Sequence, residues 1–164
     1  MKHLLIIALS LSLDLVVAQT TAPVIPVPEV FLIGEYEDQY MRLSKEHPAI
    51  FMYVYNNDID KAFRGYSEML MDMEDYAAEL NFDTKGVKLW INLYFNADGS
   101  LEHLAFYPKP NSRNVKVEYL AAFFKNFVRT YQLSAKSLKP FHHSASASFP
   151  TFFSRELQET AKRN

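Results

Sequence analysis

His142 and His143 form the chain's one adjacent histidine pair, and imidazole is the side chain best suited to metal ligation or proton transfer near neutral pH. On a strand, though, neighbouring side chains point to opposite faces, so the two would not meet on one ion. A metal would need His47, His103 or a carboxylate as well, and neither H-x-x-x-H nor H-E-x-x-H spacing occurs. Asn57-Asp58-Ile59-Asp60 resembles the opening of a calcium loop, but the glycine and the distal glutamate are missing, and helix capping explains it better. Ser144, Ser146 and Ser148 suggest nucleophiles, yet no G-x-S-x-G elbow surrounds them. Asp72, Glu74 and Asp75 could be paired carboxylates for glycoside chemistry, but they fall mostly on the polar face of a helix. Met69 and Met73 belong to that helix's apolar stripe, and Met71 lies off it. The four glycines make no phosphate loop, and the absence of cysteine excludes a thiolate zinc site. These residues predict no catalytic group, no metal and no cofactor. Nothing in them argues for an enzyme.

The first residues speak to location. Lys2 and His3 precede an apolar run of about fourteen residues, Leu4 to Val17, and Val16-Val17-Ala18 offers a cleavage site before Gln19. The run is shorter than the roughly twenty residues that span a hydrocarbon core, and Asp14 would be costly in lipid. The reading is a signal peptide over residues 1–18, cleaved near Ala18, and a periplasmic or secreted chain with no integral span after cleavage. An uncleaved anchor is the alternative. An export signal without thiols fits a bacterial envelope better than a disulfide-dependent eukaryotic secretory route. A lipoprotein anchor would need a cysteine.

Charge is divided along the chain. From Glu29 to Asp83 there are thirteen acidic and four basic residues; from Lys109 to Lys139 there are seven basic and one acidic. Such polarity can steer encounters or favour head-to-tail association, but solvated outer faces of two packed segments account for it more simply. The aromatics among the basic residues sit on an apolar helical stripe, so no nucleic-acid partner is expected.

Any site must be positioned by the elements around it. Residues 19–30, with prolines at 23, 26 and 28, read as an extended arm, loosely held or laid across the domain as an edge. Residues 31–154 read as a single α+β domain, and 155–164 as a charged tail. Ile33, Tyr36, Tyr40 and Leu43 mark one helical face over Gly34 to Lys45, which Pro48 ends. Ala49 to Tyr55 fits a buried strand or a helical turn. A strong amphipathic helix follows over 58–80, capped by Asn57 or Asp58, with its stripe running through Ile59, Ala62, Phe63, Tyr66, Met69, Leu70, Met73, Tyr76, Ala77 and Leu80. Val87 to Phe95, the turn Asn96-Ala97-Asp98-Gly99 and Ser100 to Tyr107 form a hairpin, since Asp-Gly supplies positive φ between alternating runs. Val87, Leu89, Ile91, Leu93 and Phe95 should face the core. Trp90 and Tyr94 share the other face, either covered or as an exposed patch. A second helix occupies 117–132, a loop follows from Ser134 to His143, and a last strand runs from Ser144 to Phe153.

From Gly86 onward the chain resembles the C-terminal domain of TonB-type periplasmic proteins. The matching parts are Gly86, the strand Val87 to Phe95, the Asp-Gly turn, Leu101 to Tyr107, the helix Val117 to Gln132 and Ser148-Phe149-Pro150-Thr151-Phe152. The resemblance implies a small mixed sheet whose edge strand pairs with a partner peptide. Residues 31–85 have no counterpart in that pattern. The arm of about twelve residues reaches at most roughly 40 Å, so the family's energy-transducing role is not implied.

The expected fold is therefore an antiparallel sheet of three to four strands packed on two main helices. The expected function is that of a non-enzymatic binding or scaffolding protein of the bacterial cell envelope, whose partner is another envelope protein or a peptide. Its contact residues would be Trp90, Tyr94, Phe149 and Phe152. The alternative is a small periplasmic enzyme or ligand-binding protein with a pocket between the acidic helix and the sheet.

Overall fold

The computed structural model describes residues 26–155. The expected signal peptide, residues 19–25 of the arm and the tail beyond Arg155 lie outside the described residues. In chain order the elements are β1 (Val30–Leu32), α1 (Glu37–Glu46), β2 (Ala49–Ile50), α2 (Phe51–Val54), α3 (Ile59–Glu79), β3 (Lys88–Phe95), β4 (Leu101–Pro108), α4 (Val117–Thr130) and β5 (Phe141–Ser148). The class is α+β, but the sheet is larger than expected and mixed. Its five strands run in the order β1-β4-β3-β5-β2, with β3 antiparallel to both β4 and β5. The short outer strands β1 and β2 pair in parallel with β4 and β5. The end of the proline-rich arm thus enters the sheet at Val30, as an edge.

The central hairpin follows directly from its residues. Asp98 Oδ1 accepts from the Ser100 amide at 2.9 Å, and the Asn96 amide donates to Ser100 O at 2.9 Å. Gly99 adopts φ +92°, and a Cβ there would stand 2.7 Å from the carbonyl oxygens of Leu133 and Ala135. Gly99→Ala should therefore cost more than the roughly 1–2 kcal/mol of a left-handed alanine, because the displaced groups are backbone. A drop in the urea midpoint checks this, and an unchanged midpoint would contradict it.

Val87, Leu89, Ile91, Leu93 and Phe95 are all buried on the core face, where α3 and α4 cover them. Asp58 caps α3 by accepting from the Lys61 amide at 3.0 Å. Glu68, Asp72, Asp75 and Glu79 on α3 are exposed. The third member of the acidic cluster has a structural task instead. The Glu74 carboxylate accepts from the Thr151 amide at 2.9 Å, from its hydroxyl at 2.8 Å and from the Ser154 hydroxyl, fixing the chain after β5.

Two boundaries differ from expectation. The Ala49–Tyr55 run divides between β2 and α2, because its apolar residues have no period that favours either form over the whole run. The last strand begins at Phe141 and ends at Ser148, so His142 and His143 lie within it rather than in a loop.

Candidate functional site

β5 runs antiparallel to β3 along its whole length, from Lys88 opposite Ser148 to Phe95 opposite Phe141. Phe149 continues this ladder: its amide donates to Val87 O at 2.9 Å, and its carbonyl accepts from the Gly86 amide at 2.8 Å. In an antiparallel ladder each residue turns its N–H and C=O the same way, and successive residues alternate. The N–H and C=O groups of His142, Ser144, Ser146 and Ser148 therefore point away from β3. β2 pairs with this outer edge only at Phe141 and His142. Beyond His142, no strand among the described residues pairs with it.

The reason is the turn of the chain at Phe51. Had α2 stayed extended, residues 51–56 would have run on beside Ser144–Ser148. Instead the chain folds into α2 and crosses to α3, leaving a slot along the edge. α3 reaches the slot through Tyr66, whose hydroxyl donates to Ser146 O at 3.0 Å. Burial raises the Tyr66 phenol well above its ordinary range, so it remains a neutral donor.

The slot is walled with apolar side chains. At one end a cleft of about 430 Å³ is lined by Ile50, Phe51, Met52, Ile59, Phe63 and His143. Toward the other end a smaller recess of about 180 Å³ lies between Tyr66, Ser146, Ser148 and Phe152. Ile59 is 67% exposed, Phe63 59% and Phe152 56%. Large apolar groups grouped beside an open strand edge form a surface of the kind that interaction sites use.

The sequence-predicted contacts are not gathered in one place. Phe152 lies at the slot. Phe149 is buried in the main core. Tyr94 is 2% exposed, packed beneath α1 against Tyr40 and His47. The Trp90/Tyr94 patch therefore does not form. Trp90 instead stands beside Tyr107, ring centroids 6.4 Å apart, with the Lys109 ammonium 5.6 Å from its ring. The slot residues Ile50, Ile59, Phe63 and Tyr66 were not among the expected contacts. Their one signal is the Ser144-x-Ser146-x-Ser148 alternation, which suggests nucleophiles in sequence and is, in the fold, the outer edge of β5, with Ser144 and Ser146 exposed.

The histidine pair divides between the faces of the sheet. His143 lies between the rings of Phe51, at 4.6 Å, and Tyr66, at 4.7 Å, and burial pushes its pKa down to about 4. His142 Nδ1 is 2.7 Å from His47 O on the other side. Among the described residues no three His, Asp or Glu side chains converge as a metal-binding group, and no helix is long and apolar enough to cross a membrane. Comparison with known protein families, curated proteins and solved structures finds no match.

Proposed function

We propose that this chain is a non-enzymatic binding or scaffolding protein exported to the bacterial cell envelope, and that its β5 edge takes an extended segment of another envelope protein as an added strand. The outward N–H and C=O groups of Ser144 and Ser148 and the outward N–H of Ser146, whose carbonyl Tyr66 already holds, lie beside an apolar slot and carry this reading. Main-chain hydrogen bonds would supply affinity, and apolar side chains at alternate positions of the peptide would seat in the two recesses. The TonB-type resemblance supports the docking mode, while the leader and the missing thiols support the location.

The test uses a synthetic library of unstructured peptides with apolar residues at every second position, titrated against the full chain. Ser146→Pro removes one outward donor without touching the β3 ladder, and proline is tolerated where a strand's N–H faces solvent. Binding should fall at least roughly tenfold in Ser146→Pro, the worth of one lost hydrogen bond with its neighbours disturbed. The far-ultraviolet circular dichroism should stay unchanged. Equal binding by wild type and variant would overturn the proposal.

A second reading is favoured by the 430 Å³ cleft itself, which lies between α3 and the sheet edge and is large enough for a small apolar ligand. Its walls are mainly aliphatic and aromatic, with His142 and Ser144 at its rim, and His143 is held uncharged between two rings. This favours binding over catalysis. A thermal-shift screen with small apolar acids and alcohols separates the two: stabilisation lost in Phe63→Asp but kept in Ser146→Pro would select the ligand reading.

A further inference from the structure

The second face of the sheet carries a different device. Along α1 only Leu43 is buried, and it joins a small cluster with Phe31, Tyr94 and Ala105 that is separate from the main core. α1 is held on the sheet by this cluster, by edge-on contacts of Tyr36 with Phe31 and of Tyr40 with Tyr94, and by polar contacts. Tyr40 Oη accepts from Asn92 Nδ2 at 3.0 Å. At the helix C-terminus, His47 is 2% exposed, with Nδ1 3.0 Å from Leu43 O and Nε2 2.9 Å from Glu102 Oε2 on β4. A backbone carbonyl only accepts, and so does an ionised carboxylate. Both ring nitrogens thus face acceptors, an arrangement that the imidazolium, with its two donors, satisfies.

We propose that α1 is a proton-operated cover, closed while His47 carries both ring protons and released when it loses one. Loss of a proton turns a nitrogen lone pair toward an acceptor, so one of the two bonds is broken; the half-exposed Glu102 can then take water, but the buried ring nitrogen has no other partner. The neighbouring groups do not supply the second proton's role. His142 on β5 needs only a neutral Nδ1–H to donate to His47 O. His103 on β4 needs the same to donate to Pro28 O, and its Nε2 lies 3.9 Å from Glu102 Oε1, outside hydrogen-bond reach. Tyr94 on β3 meets the His47 ring edge-on, and on α1 itself Arg42 pairs with Glu46 at 3.4 Å. Release would uncover Tyr94 and Asn92 next to Trp90 and Tyr107, widening one exposed aromatic pair into a continuous face.

Amide hydrogen exchange by nuclear magnetic resonance, corrected for the intrinsic pH dependence and referenced to α4, tests this on the full chain. As pH rises, protection along α1 should fall roughly ten- to a hundredfold relative to α4, the worth of a hydrogen bond to a charged group. In His47→Gln and in Glu102→Gln the pH dependence should vanish, because an amide can serve either partner state. Glu102 is half-exposed, so its variant keeps the test open if His47→Gln fails to fold. Protection of α1 that follows α4 at every pH, or a pH dependence that persists in Glu102→Gln, would overturn the proposal.

Discussion

Phe95→Ala should destabilise the fold by about 3–5 kcal/mol, the range for truncating a fully buried phenylalanine. Phe95 closes the core at the end of β3. It is fully buried, stacked on Phe141 of β5 with centroids 4.9 Å apart and planes 13° from parallel, and it also meets Phe51 at 6.2 Å. Alanine would leave a void bounded by three separate elements, β5, α2 and the start of β4. Each is anchored elsewhere, so the site has little freedom to collapse. Urea unfolding measures the effect as a lower midpoint at unchanged slope. The half-exposed Trp90 supplies the contrast, since Trp90→Ala opens no enclosed void and should cost far less. A loss below about 1 kcal/mol for Phe95→Ala would mean that the aromatic stack closes over the gap.

Acidification should weaken the fold through His143. The folded pKa of His143 is pushed down to about 4, first by burial between Phe51 and Tyr66 and then by His142, against an ordinary 6.5. Between those values the unfolded chain binds a proton that the folded chain refuses. Stability is therefore complete above pH 6.5 and falls as pH drops toward 4, by at most about 3 kcal/mol before allowance for solvent screening. Asp58, Asp83 and Asp98 lose stabilisation over the acid range as well, since hydrogen bonds, first those from backbone amides, hold their carboxyls below the usual value. The readout is thus the difference between wild type and His143→Phe, a ring of similar shape with nothing to titrate. His143→Phe should match wild type near neutrality and lose less stability between pH 6.5 and 4. Parallel pH curves for the two proteins would refute the assignment.

The two histidines are separable because they act on different scales. His143 lies in the cleft wall between Phe51 of the main core and Tyr66, within the central part of the sheet, and its protonation should lower the protection of the sheet. His47 sits at the end of a helix with one buried residue, and its deprotonation should loosen α1 while the core stays closed.

How much of this was legible beforehand depends on the range of the forces involved. The α3 stripe, the Asp-Gly turn, the alternation of β3 and the period of α4 are local patterns, and each appears in the fold within a few residues of its expected limits. β1 and β2 have three and two residues, too few for any period, and their parallel pairing joins segments far apart in the chain. The sheet therefore grows from the expected three or four antiparallel strands to a mixed five. Alternation correctly puts Trp90 and Tyr94 on the same face but says nothing of what covers it. α1 reaches Tyr94 and stops short of Trp90.

The candidate site was less legible still. Phe149 and Phe152 are three residues apart and chemically alike, yet one lies in the core and the other at the slot. Ile59 and Phe63 lie on the α3 stripe with Met69 and Met73, but the chain's departure at Phe51 leaves the start of that stripe without a covering strand.

By its sequence alone this protein is a chain with no thiols, whose alternating and helical runs demand a sheet backed by amphipathic helices. Those demands come from neighbours in sequence, through backbone geometry and the burial of one face. Which edge of the sheet is left open, which aromatic is covered, and which histidine faces two acceptors were decided only in the folded molecule. Each depends on groups brought together from distant parts of the chain: Tyr66 with Ser146, His47 with Glu102, and α2 turning away from β5.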